Sequence, residues 1–175
     1  MDLSKIHCLS VHYNGVANVI ACSVSVSFPD ILLKQGEVSK PDSCIGIWDT
    51  GATNSAITEM QAKKLNLVPT GKKNVSGLGG TIQKNTYLID IVLPNSVKIP
   101  NLSVTELDNP KNEKGEQVDS FGILIGMDII SLGDFSITHF EGKTTMSFRM
   151  PSMVKHDYVR EWQARNTIQQ RNKRR

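Results

Sequence analysis

The chain has 175 residues, 39% of them hydrophobic, and a formal net charge of +3. That length suits one domain with an appendage rather than two lobes, and the longest apolar runs are strand-sized, too short to cross a membrane as helices. The charge is uneven: from Lys155 onward there are seven Lys or Arg against two acids, while the rest of the chain holds 13 basic and 15 acidic residues, so nucleic acid is not an expected partner and any such claim rests on the tail alone.

The opening residues Met1 to Lys5 show no basic stretch followed by an apolar one, so no signal peptide is expected. Cys8, Cys22 and Cys44 are odd in number and lack metal-ligand spacing. They read as reduced thiols of a cytoplasmic protein, in or near the core, and no metal or cofactor is expected. Residues 5 to 13 alternate, and Ile20, Cys22, Val24, Val26 and Phe28 put apolar groups on one face. Both stretches predict half-buried strands. Asn14-Gly15 between them predicts an N-terminal hairpin over residues 5–28.

Pro29 to Ser43 reads as a loop. Cys44 to Trp48 is an apolar strand feeding Asp49-Thr50-Gly51-Ala52. A carboxylate at the end of a buried strand is costly unless something uses it. The hydroxyl of Thr50 can lock a tight loop, and Gly51 lets another backbone approach. Thr58 can cap a short helix through Leu65, with Glu59 in its first turn and two lysines near its end.

Next comes the glycine-rich stretch Val75-Ser76-Gly77-Leu78-Gly79-Gly80-Thr81, flanked by strand-like residues. Tyr87 to Leu93 keeps a period of two, and Val97 to Leu107 predicts one or two more strands. Asp108 to Ser120 is polar and reads as a surface loop. Phe121 to Gly126 is a second apolar strand ending in glycine, and Asp128 is expected to cap a short helix closed by Gly133. Phe135 to Phe140 and Thr144 to Phe148 predict a hairpin, and Pro151 ends the body. In the tail, Val154, Tyr158 and Trp162 share one helical face, which predicts a helix from about Met153 to Ile168 docked by Tyr158 and Trp162.

The order of the Asp49-Thr50-Gly51-Ala52 loop, a glycine-rich hairpin and an apolar strand ending Ile125-Gly126 resembles the retropepsin-like family of aspartic proteases. The resemblance spans roughly Ala17 to Met150. It implies a mainly β chain, a closed β-barrel of the acid-protease type with short helices and one lobe per chain. The expected division is a protease domain over residues 1–150 and a basic, partly helical tail over residues 151–175. There is one Asp-Thr-Gly, and Asp119-Ser120-Phe121 lacks the glycine. The chemistry needs two carboxylates, so the second is expected from a second chain by two-fold symmetry.

By that resemblance, Asp49 is catalytic, activating water for peptide-bond hydrolysis. Thr50, Gly51, Ala52, Ile125 and Gly126 support its loop. Gly77, Leu78, Gly79 and Gly80 form a flap over a peptide substrate. Two departures stand out: Thr53 replaces the acid that retroviral enzymes carry there, and Met127-Asp128 replaces the region of its arginine partner. The competing expectation is a peptide-binding or dimerisation module with the same fold and little proteolysis. An acid kept at Asp49 argues against it, because a binder has no need of one.

Overall fold

The alternating stretches do form strands, but they pair differently from the simplest expectation. The structure, a computed structural model, describes residues 5–77 and 80–173. Among the described residues it is mainly β, with ten strands, three α-helices and a short 3-10 helix at Asp30–Leu32.

Strand β1 (His7–His12) runs antiparallel to β10 (Lys143–Met150), which pairs with β9 (Asp134–Phe140) in a three-stranded sheet. Strand β2 (Ala21–Ser27) belongs to the other sheet. The expected hairpin over residues 5–28 is therefore corrected: β1 and β2 are not partners. The connection between them explains why. Tyr13 donates its N–H to the Thr144 carbonyl, Thr144 N–H donates to Gly15, and Ala17 N–H donates to the Thr144 hydroxyl. The chain stays with β10 past Asn14-Gly15, and β2 begins only at Ala21, where the Tyr13 hydroxyl bonds both backbone groups.

The second sheet has seven strands. Its order is β2, β3 (Asp42–Trp48), β8 (Ile123–Ile125), β4 (Ala56–Thr58), β7 (Lys98–Leu107), β6 (Gly80–Val92) and β5 (Gly71–Gly77). A further antiparallel pairing joins β2 to β6 through Ser25↔Val92 and Val26↔Ile91. The central strands turn one apolar set inward; Val26, Ile57, Ile89, Ile91, Ile123, Ile125 and Met146 are fully buried. The two sheets meet at Trp48, which stacks on Phe135 with centroids 5.5 Å apart and tilts against Phe148 at 5.1 Å.

Helix α1 (Glu59–Lys64) forms as expected, with the Thr58 hydroxyl accepting from Gln61 N–H at 3.2 Å. Helix α2 (Met127–Ile130) starts two residues earlier than expected, and Gly126 rather than Asp128 occupies its N-cap. The β9–β10 hairpin turns at Glu141 and Gly142, both at positive φ (51° and 74°), the geometry of a tight two-residue loop.

Helix α3 (Tyr158–Lys173) begins five residues later than the expected Met153, because Asp157 accepts from Arg160 N–H and acts as the cap. Tyr158 and Trp162 are 70% and 65% exposed, so the expected docking of this helix on its own body is not found. Its apolar stripe is too short to outweigh the polar residues around it. Among the described residues no helix is long and apolar enough to cross a membrane.

Candidate active site

Trp48 holds the end of β3 in place. It is buried between the sheets and donates its indole N–H to Cys22 Sγ at 3.2 Å. Strand β3 lies parallel to β8 through Gly46↔Ile123, Ile47↔Leu124 and Trp48↔Ile125. Asp49 extends that ladder by one step, its N–H donating to the Ile125 carbonyl at 2.9 Å. The carboxylate thus leaves the sheet at a position fixed by both neighbouring strands.

The loop then folds on itself. Gly51 N–H donates to Asp49 Oδ1 at 2.8 Å, and Ala52 N–H to the Asp49 carbonyl at 3.2 Å. A Cβ on residue 51 would sit 3.1 Å from Asp49 Oδ1. Glycine lets the carboxylate take that backbone bond.

Ile125 and Gly126 pack behind the loop. Ile125 is fully buried. A Cβ at Gly126 would stand 2.6 Å from the Asn54 carbonyl carbon and 2.9 Å from the Ala52 oxygen, both main-chain atoms that cannot swing aside. The Ala52 carbonyl accepts from Met127 N–H at 2.8 Å. Ser55, fully buried, accepts from Gly126 N–H at 3.0 Å and donates to Asp128 Oδ1 at 2.7 Å, while its own N–H reaches Asp128 Oδ2 at 2.8 Å. Asp128 is thus the partner of Ser55, and the expectation that it caps the helix is corrected.

Asp49, Gly51 and Ala52 line a cleft of about 610 Å3, floored by Ala56, Thr105 and Leu124 and bounded on one side by Lys73, Asn74 and Val75 of β5. Two other clefts, of about 230 and 390 Å3, lie away from Asp49. Strands β5 and β6 form the expected glycine-rich hairpin, with Gly77 opposite Gly80. Leu78 and Gly79 lie outside the described residues. Thr50 is exposed, and among the described residues its hydroxyl has no hydrogen bond within the chain.

Ser55, Asp128 and the contact from Lys73 Nζ to Asn54 Oδ1 at 2.6 Å were not apparent from sequence. The only available signal was a serine and an acid at fixed distances from the two glycine motifs. Among the described residues no three His, Cys, Asp or Glu side chains cluster as a metal site. Burial, and then the charges of Asp42 and Asp119, push the Cys44 thiol up to about 11. It is therefore protonated at neutral pH and unsuited to nucleophilic attack. Cys8 is exposed rather than near the core.

Residues 43–129 match the family model described as aspartyl protease. A search of curated proteins finds no match. Among solved structures, the chain is similar to the crystal structure of a retropepsin-like aspartic protease from Rickettsia conorii, at 13% identity and a TM-score of 0.45, covering 83% of this chain and 95% of that one. It is also similar to the EIAV protease complexed with the inhibitor HBY-793, at 17% identity and a TM-score of 0.45, covering 67% of this chain and 89% of that one.

Proposed function

We propose that this chain, which belongs to the aspartyl protease family through residues 43–129, is a homodimeric aspartic endopeptidase of the retropepsin type. The observation that carries the reading is the placement of Asp49. It directly follows a half-buried strand, has one carboxylate oxygen held by Gly51 N–H, and lines the cleft of about 610 Å3. The β2–β6 pairing, which links two strands of the seven-stranded sheet that lie apart in its order, supports reading that sheet as a closed barrel with the β5–β6 hairpin as flap. The exposed Thr50 hydroxyl supports a two-fold contact between the loops of two copies.

In this reading the two Asp49 carboxyls share one proton and hold a water between them. The ionised one takes a proton from the water as its oxygen attacks the scissile carbonyl carbon. The protonated one gives its proton to the carbonyl oxygen, forming a gem-diol. The newly protonated carboxyl then gives its proton to the amide nitrogen as the C–N bond breaks. The other carboxylate takes a proton from a gem-diol hydroxyl as the C=O bond re-forms, which restores the starting pair. Nothing becomes covalently bound to the enzyme. The substrate lies extended along the loop at Gly51, adding a strand to the exposed backbone.

The test is cleavage of a mixed peptide library by wild type and Asp49→Asn, with a statine-type transition-state mimic as inhibitor. Wild type is expected to cleave, and the variant to lose at least about a thousandfold, the scale of losing a general acid–base pair, with fold and dimer retained. Cleavage by Asp49→Asn at a comparable rate overturns the mechanism. Peptide binding without cleavage by wild type favours the binding-module reading instead.

A further inference from the structure

The cleft carries a cation that the catalytic reading does not use. Lys73 lies on β5, on the same face as Val75, and both border the cleft at Asp49. Its ammonium reaches across to the Asn54 side-chain carbonyl, a neutral partner. Among the described residues no carboxylate pairs with it.

The other charges nearby are occupied. Lys84, directly across the hairpin from Lys73, is paired with Asp108. Glu106 also borders the cleft, but its carboxylate accepts from the Tyr87 hydroxyl and the Asn85 amide, on the strand beside it. Thr53, next to Asn54, contributes a neutral hydroxyl. The corner made by Lys73, Asn54 and Thr53 thus offers donors and a positive charge that no carboxylate of the described residues contacts. A lysine has three donor hydrogens, so the bond to Asn54 leaves two for a ligand.

We propose that Lys73 makes this cleft select peptides with a carboxylate side chain close to the scissile bond. The inference rests on the endopeptidase reading for its position but not for its charge. Substrate runs past Asp49 in an extended form, and Lys73 and Asp49 border one cleft of limited length. The selected residue therefore lies within about three positions of the cleaved bond, given ~3.3 Å per extended residue. In a two-fold dimer each end of the joint cleft carries one Lys73. The preference then falls at two positions placed symmetrically on either side of the bond.

The experiment uses a peptide series in which each position within four residues of the cleaved bond is Glu, Gln or Lys. Cleavage by wild type is read as kcat/KM, and binding is measured separately to Asp49→Asn. Glu is expected to exceed Gln by about fivefold at the selected positions, the scale of a partly exposed ion pair, in both readouts. Lys73→Gln should remove the preference, Lys73→Glu should turn it toward Lys, and Lys73→Arg should keep it. Equal handling of Glu and Gln, or a preference unchanged in Lys73→Gln, overturns the inference while leaving the protease reading intact. Acid-selective binding that depends on Lys73, with no cleavage by wild type, sustains the inference and overturns the protease reading.

Discussion

Ser55 and Asp128, 73 positions apart, are joined twice: Ser55 N–H to Asp128 Oδ2 at 2.8 Å and the Ser55 hydroxyl to Asp128 Oδ1 at 2.7 Å. The same hydroxyl accepts from Gly126 N–H. One buried oxygen therefore ties the segment after Asp49 to the start of α2. Ser55→Ala leaves Gly126 N–H without its acceptor and removes one of the two donors to Asp128 Oδ1, which keeps Ile129 N–H. A loss of about 2 kcal/mol is expected from the orphaned N–H and the lost charged hydrogen bond, read as a lower urea midpoint with an unchanged slope. A midpoint equal to wild type would show that water replaces the hydroxyl without cost.

Gly126→Ala should be worse. Its new Cβ would overlap the Asn54 main chain, and the backbone of the Asp49 loop would have to shift to admit it. A destabilisation of about 3 kcal/mol is expected, the upper scale of overpacking. Activity should fall further than the unfolded fraction explains, because the displaced segment carries Asp49. Full specific activity in the folded fraction of the variant would refute this coupling.

The elements with local chemistry were legible in the sequence. Thr58 before Glu59 has the cap, the acid and the lysines that make a short helix, and α1 follows that signal closely. The apolar strand into Asp49 and the Ile125-Gly126 strand were equally readable, since burial and close approach restrict their residue types. The long-range choices were not. Asn14-Gly15 is a strong turn signal, yet Tyr13 and Thr144 bind the chain around it to β10, and nothing local announces a partner 130 residues away. Asp128 read as a helix cap because its neighbours allow one; its bond to Ser55 depends on the tertiary approach of two loops. Trp162 read as a docking residue from spacing alone, but spacing does not supply the surface to dock on.

Asp134 supplies a pH-dependent tie between β9 and the segment after β10. It accepts from the Ser152 hydroxyl at 2.6 Å, Met153 N–H at 2.9 Å and Arg149 Nε at 3.0 Å. These partners, with the Ser152 hydroxyl foremost, hold its carboxyl well below the usual carboxylate range. The folded state thus favours the ionised form. The resulting stability is complete above the unfolded value of roughly 4 and is lost as pH falls through the lower folded value. Asp134→Asn should unfold at lower urea than wild type at neutral pH, and the gap should close only below about pH 4. A gap that stays constant into strong acid would assign the effect to packing rather than to charge.

The dimer reading makes the sharpest demand on the protein. Each chain supplies one Asp49, and the proposed chemistry needs two, so a separated chain has no complete site. Specific activity should therefore fall on dilution, in step with the dimer fraction. Mixing makes the same point without a dissociation constant. Wild type and Asp49→Asn, unfolded together in equal amounts and refolded, pair at random; about a quarter of the dimers then carry both carboxylates, a consequence of two-fold pairing. The total activity should be about a quarter of that of an all-wild-type sample at the same chain concentration, again by random pairing. Independent monomers would instead retain about half, each wild-type chain acting alone. A value of one half, with sedimentation showing a single chain, would remove the shared site and the symmetric substrate preference that depends on it.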